Sequence, residues 1–237
     1  MTTLPVAILA GGLATRLRPI TQQIPKALVE VAGSPFIVHQ LELLKRHGLS
    51  RVVLCVGHLG EMIEATLGNG KRWGMELHYV FDGDTLLGTG GALRNALPWL
   101  GDQFLVMYGD SYLDCDYQSV IKAFLTSGQL GLMTVFRNAN QWDRSNLVFH
   151  AGQILVYDKH QQTADMQYID YGLGALHAKA ITSYPENMVL DLAKVYQDLL
   201  ATNELAGCEV TQRFYEIGSP AGLEETRRYF LEKTIKL

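Results

Sequence analysis

The chain has 237 residues, 48% of them hydrophobic, and a formal net charge of −4, which suits the core of one large α/β domain. With no basic tract it speaks against a nucleic-acid partner; no apolar run reaches membrane-spanning length, and the first is too short and lacks the basic start of a signal peptide. Three scattered cysteines, Cys55, Cys115 and Cys208, with no C-x-x-C, argue against a disulfide framework or a zinc site and fit a reducing cytoplasm.

In chain order, Val6-Ala7-Ile8-Leu9 reads as a buried strand. It feeds Leu9-Ala10-Gly11-Gly12-Leu13-Ala14-Thr15-Arg16-Leu17-Arg18-Pro19, closed by Pro25-Lys26. Adjacent glycines let backbone N–H groups approach a ligand, and the arginines and lysine supply charge for phosphates. A nucleoside triphosphate is the simplest ligand. The spacing is neither a Walker loop nor the dinucleotide fingerprint, since Lys26 is far from the glycines and G-x-G-x-x-G is absent.

A helix is expected from Ser34-Pro35 to about His47, a strand over Arg51–Val56, a helix over Gly60–Leu67 and a strand over Glu76–Phe81. This alternation predicts a parallel sheet. Next comes the glycine-rich turn Asp82–Ala92, then a helix over Gly91–Leu97 stopped by Pro98. Such a turn feeding a helix N-terminus offers a second set of N–H groups to a ligand. The strand Phe104–Tyr108 ends in Gly109-Asp110-Ser111, and a carboxylate there sits where open α/β sheets place ligands and can hold Mg²⁺. Asp116 is placed to cap a helix over Tyr117–Leu125. A strand over Gly131–Phe136 precedes a change of pattern: a hairpin around Gly152 and a strand region over Met166–Leu176. A helix over Asp191–Leu200 and a terminal helix over Gly222–Glu232 complete the reading.

The pattern G-G-x-x-T-R-L-x-P-x-T-x-x-x-P-K, from Gly11 to Lys26, resembles the signature of sugar-1-phosphate nucleotidyltransferases, or NDP-sugar pyrophosphorylases. Ala14 stands where that family usually has glycine, so either the loop sits differently or the position needs no special backbone angle. The resemblance implies a single catalytic domain over residues 1–237: a Rossmann-like, mostly parallel (mixed) sheet flanked by helices, with a small sugar-binding β subregion. Residues 1–135 would bind nucleotide, and residues 136–237 the sugar phosphate. No room is expected after Leu237 for the β-helix some members carry.

The resemblance also assigns residues. Arg16 and Lys26 would be catalytic. Leu9, Ala10, Gly11, Gly12, Thr15 and Gly109 would surround the nucleotide, and Gly88 and Thr89 of the L-G-T-G-G-A segment would contact the base. Lys159 matches the lysine of E-K-P, with Asp158 in place of the glutamate. Asp170, in place of a common asparagine of N-x-G, would bind the sugar phosphate with Asn146 and Gly172. Mg²⁺ would sit on Asp110 and on Glu216, which replaces the aspartate of D-I-G-T-P.

The implied reaction is transfer of a nucleoside monophosphate from a nucleoside triphosphate to a sugar 1-phosphate, with pyrophosphate released. The L-G-T-G-G-A stretch is closer to heptose 1-phosphate guanylyltransferases, so the reading leans to a guanylyl donor and a heptose or manno-type acceptor. Uridylyl or thymidylyl transfer to a hexose or amino sugar, and a silent NDP-sugar-binding domain, are the alternatives. The expected protein is a cytoplasmic monomer or small homo-oligomer with no nucleic-acid or membrane partner.

Overall fold

A computed structural model describes residues 2–83 and 85–235. Asp84, inside the glycine-rich turn, and Leu237, where the single-domain reading ends, lie outside the described residues. The elements run β1 (Val6–Leu9), β2 (Glu30–Val31), β3 (Ser34–Pro35), α1 (Phe36–Arg46), β4 (Arg51–Val56), α2 (Gly60–Leu67), β5 (Glu76–Phe81), α3 (Gly88–Leu100), β6 (Gln103–Tyr108) and β7 (Ser111–Tyr112). Then come α4 (Tyr117–Ser127), β8 (Gly131–Arg137), β9 (Leu147–His150), β10 (Gln153–Tyr157), β11 (Tyr168–His177), α5 (Lys179–Thr182), α6 (Leu192–Ala201), β12 (Leu205–Val210), β13 (Tyr215–Glu216) and α7 (Pro220–Ile235).

Among the described residues nine strands form one mixed sheet. Its path is β10-β9-β11-β6-β1-β4-β5, with β8 on β11 and β12 on β8. The half built from β5, β4, β1 and β6 is parallel, as the strand–helix alternation predicts. β11 runs antiparallel to β6, with Leu173 opposite Met107. The start of β11 therefore lies at the edge where β1 and β6 end, and Asp170 and Gly172 reach it beside Tyr108.

Two cores sandwich the sheet because strand side chains alternate. Val6 and Ile8 join one core with Leu41, Leu44, Ile63, Ile121 and Leu223; Ala7 joins the other with Leu93, Leu97, Val195 and Tyr196. Asp116 caps α4, accepting the N–H groups of Gln118 and Ser119, an interaction worth about 1 kcal/mol.

Four expectations are revised. Ser34-Pro35 pairs with Glu30-Val31 as a short ribbon, and α1 starts only at Phe36. α3 starts three residues earlier than expected, at Gly88, and continues through Pro98 to Leu100. A proline inside a helix costs roughly 3 kcal/mol, but burial of Leu97 and Leu100 is worth about 1.5–3 kcal/mol each, and burial prevails. The strand β12 was not expected, since Ala206-Gly207 breaks its apolar pattern. There a Cβ on Gly207 would stand 2.6 Å from Phe149 Cε2, so the glycine marks close packing. Finally, Ala14 takes φ 48° and ψ 43°, in the left-handed region. The position does need the angle that favours glycine. Alanine holds it at a cost of about 1 kcal/mol, its carbonyl accepting from Leu17 N and Thr21 Oγ1.

Candidate active site

Two clefts open along the sheet edge where β1, β4, β5 and β6 end. The first, about 250 Å³, is lined mainly by apolar side chains and by the glycine loop: Leu9, Ala10, Gly11, Gly12, Lys26, Leu86, Gly88, Thr89 and Gly109 among others. The second, about 470 Å³, is polar, with Arg16, Arg144, Asn146, Lys159, Asp170, Gly172 and Glu216 in its wall. Tyr108 and Asp110 line both, so the clefts meet at the end of β6. Of the residues assigned from the sequence, Thr15 alone borders neither. It opens a short 3-10 turn, and its carbonyl accepts Arg18 N.

The glycine loop is tied down from both sides. Ala10 N donates to Cys55 O at 2.8 Å and Gly109 N to Leu9 O at 2.9 Å. A Cβ on Gly109 would lie 2.8 Å from Leu9 O, which explains the glycine before Asp110. Gln40, fully buried on the apolar face of α1, donates to Tyr108 O at 2.9 Å and Ser111 O at 2.8 Å. It brackets Gly109-Asp110. A glutamine inside the apolar stripe Ile37, Leu41 and Leu44 is the signal of this role that the sequence carries.

Lys26 follows Pro25 in a 3-10 turn, and its Nζ lies 2.6 Å from Asp110 Oδ2. Ser111 Oγ donates to the other Asp110 oxygen at 3.2 Å. The short ribbon of β7 with β13 sets Glu216 opposite Ser111, and Ile217 N donates to Asp110 O at 2.9 Å. The Glu216 carboxylate folds over its own turn, accepting Gly218 N and, at 2.7 Å, Ser219 Oγ. A Cβ on Gly218 would stand 2.7 Å from Glu216 Oε2, 3.2 Å from Asp110 Oδ2 and 3.1 Å from an Arg16 guanidinium nitrogen. Two carboxylates and an arginine thus converge on a point that glycine leaves open. Among the described residues no group of three or more His, Cys, Asp or Glu side chains gathers to hold a metal. Two hard oxygen donors fit a divalent cation that completes its shell with phosphate and water.

The L-G-T-G-G-A segment is also packed against the chain that leads into α6. Leu190 O accepts Gly90 N at 2.8 Å and Gly91 N at 3.2 Å, so those helix N-terminal donors are already taken. Cβ atoms would stand 2.7 Å from Leu190 O at Gly88 and 2.5 Å from Met188 O at Gly91. Thr89 Oγ1 accepts Leu192 N at 2.8 Å and donates to Asp191, the cap of α6, at 3.2 Å. The glycines let the segment before α6 lie against α3. Gly88 and Thr89 still border the first cleft.

In the second cleft, Asp158 accepts His160 N and Gln161 N, which shapes the turn carrying Lys159 and holds its own carboxyl below the usual range. Lys159 Nζ donates to the Tyr108 hydroxyl at 3.3 Å. Asn146 Oδ1 accepts Asp170 N at 3.0 Å. Asp170 accepts Gly172 N at 3.0 Å and Tyr157 Oη at 3.3 Å; burial pushes its carboxyl up, opposed by Lys159 and these hydrogen bonds. Burial, reinforced by Asp170, raises the Tyr108 phenol well above its ordinary value.

Among the described residues no helix is long and apolar enough to cross a membrane. The profile described as nucleotidyl transferase matches residues 6–145. The N-acetylmuramate α-1-phosphate uridylyltransferase of Neisseria meningitidis serogroup B is 40% identical over 124 residues, 52% of this chain and 52% of that protein. The D-glycero-α-D-manno-heptose 1-phosphate guanylyltransferase of Campylobacter jejuni is 26% identical over 214 residues, 90% of this chain and 94% of that protein. HddC from Yersinia pseudotuberculosis, solved in complex with GMP-PN, is 25% identical, with a TM-score of 0.79 over 96% of this chain and 99% of that one. The chain spans about a third to a half of several curated relatives it matches: 34%, 52% and 35% of their lengths in three of them.

Proposed function

The chain belongs to the nucleotidyl transferase family, and from that premise we propose that it joins a nucleoside triphosphate to a sugar 1-phosphate, releasing pyrophosphate. The observation that carries this reading is the meeting of an apolar cleft and a polar cleft at Asp110, with Lys26, Arg16 and Glu216 around the junction. The nucleoside would occupy the first cleft and the sugar phosphate the second. Residues 9–110 line the first, and the second draws mostly on residues 108–216, in keeping with a nucleotide half and a sugar half.

A sugar-phosphate oxygen attacks the α-phosphorus; the new P–O bond forms as the bond to pyrophosphate breaks. The nucleophile is already an anion, so no side chain need remove a proton. The barrier is repulsion between anions and charge building on the leaving group, and positioned cations lower it. Lys26 trades the Asp110 carboxylate for a phosphate when nucleotide enters. Arg16, at the exposed rim, meets the leaving pyrophosphate. Lys159, which donates to the Tyr108 hydroxyl, meets the sugar phosphate. Mg²⁺, held by Asp110 and Glu216, would neutralise phosphate charge when bound.

The similarity to a heptose 1-phosphate guanylyltransferase, over 90% of this chain, supports a guanylyl donor and a heptose or manno-type acceptor. The same reading places the enzyme in the cytoplasm, supplying a precursor of cell-surface polysaccharide. The test is pyrophosphate release with Mg²⁺, crossing five nucleoside triphosphates against hexose, amino-sugar and heptose 1-phosphates. Release that requires one specific pair is expected. A folded chain that reacts with no pair, yet gains melting temperature with an NDP-sugar, would instead be a silent binding domain.

A further inference from the structure

Three charged side chains line the first cleft among the described residues: Lys26, Asp110 and Asp82. Lys26 and Asp110 pair with each other at the junction. Asp82, just past the end of β5, stands apart. Its own N–H donates to Val56 O at 3.0 Å, and its carboxylate accepts the backbone N–H of Leu87. No ion pair reaches it among the described residues. Oδ2 lies 3.4 Å from the Cβ position of Gly11 and 3.2 Å from that of Gly57, so two glycines let the acid pack against the loop floor. Around it Leu9, Ala10, Cys55, Leu86 and Ala92 form apolar walls suited to a flat ring. Burial pushes the Asp82 carboxyl up. The cleft therefore has a cationic end for phosphates and, apart from it, a half-buried carboxylate whose oxygens accept hydrogen bonds. Such a group is stabilised by ligand N–H donors and disfavours ligand lone pairs.

The nucleobases differ on this point. Guanine presents N1–H and the N2 amino group side by side, two donors that match the two oxygens of a carboxylate. Uracil and thymine present one N3–H between two carbonyls, whose lone pairs would face the acid. Adenine and cytosine set one amino group beside a ring nitrogen lone pair. Resting on the nucleotidyl-transfer reading, we propose that Asp82 is the base-reading residue and that it selects guanine through the N1–H and N2 amino pair.

The test is calorimetric binding to the full chain, with Mg²⁺ and no sugar phosphate. The probes are GTP, ITP, UTP, CTP and ATP, with inorganic triphosphate reporting the phosphate end alone. GTP is expected to bind roughly 10- to 100-fold more tightly than UTP, the size of a two-donor contact. ITP, which lacks the 2-amino group, should fall between them. Asp82→Asn and Asp82→Ala, with folding verified by circular dichroism and melting, should lose the GTP preference and keep triphosphate binding. Equal or tighter binding of UTP by the wild type, or full retention of the preference in both variants, would overturn the proposal. A folded wild type that binds neither triphosphate nor any nucleotide would overturn the nucleotide reading itself, and this proposal with it.

Discussion

Lys26 Nζ lies 2.6 Å from Asp110 Oδ2, so the cation proposed to meet phosphate and the carboxylate proposed to hold metal neutralise each other. The pair is only partly exposed, 19% and 25%, and it sits where the two clefts join. Its contribution to stability is small, about 1 kcal/mol or less for a pair that water still reaches. Lys26→Met is therefore expected to melt within a few degrees of the wild type while losing roughly 100-fold or more in turnover, the scale of removing one preorganised donor. Arg16→Ala should lose a similar factor. Pyrophosphate release beside a calorimetric melt checks both, and near-normal turnover in a folded variant would remove that residue from the mechanism.

Asp110→Asn keeps the side-chain size and discards the charge. The Mg²⁺ concentration for half-maximal turnover should rise steeply. An unchanged Mg²⁺ titration would show that Asp110 does not bind the cation.

Gly218→Ala tests the convergence point directly. The added methyl would intrude on Glu216, Asp110 and Arg16 together, at 2.7–3.2 Å. Activity should fall by roughly 100-fold or more. Full activity would mean that these three groups need not approach during turnover.

Gly91→Ala should act on stability instead. Its methyl would press on Met188 O at 2.5 Å and push the segment before α6 off α3. Overpacking of this kind costs about 1–3 kcal/mol, or several degrees of melting temperature in a chain this long. A scanning calorimeter reads the shift, and an unchanged melting point would mean that this contact adjusts freely.

Asp170 supplies a pH test. Its carboxyl is raised in the folded protein by burial, so the native state keeps the proton to higher pH than the unfolded chain. The favourable contribution is complete below the ordinary carboxylate range and is lost as pH rises through the raised folded value. Asp170→Asn is then expected to melt above the wild type at pH 7, with the advantage shrinking as pH falls toward about 4. Melts across that range decide it; an advantage that grows on acidification would contradict the assigned cause.

The sequence by itself determined what depends on local pattern. Val6–Leu9 and Val52–Val56 are continuous apolar runs; α4 and α6 carry buried residues at helical spacing, with Asp116 at the cap of α4. Their positions follow from burial and capping, which act over a few residues. The loop from Gly11 to Lys26 was legible for the same reason, since its chemistry is packed into one short stretch. Tertiary structure decided what depends on distance between chain-remote groups. Glu216 comes beside Asp110 only through the ribbon of β7 with β13. Gln40 becomes a clamp only because α1 packs under the end of β6. The glycines of the Asp82–Ala92 turn suggested ligand contact, yet Leu190 takes the Gly90 and Gly91 donors. A glycine states that something approaches closely; only the fold states whether it is ligand or chain. Asp82 reads in the sequence as one turn residue among several. Its place in an apolar wall, with no ion pair among the described residues, arises from the sheet and from the loops that close over its edge.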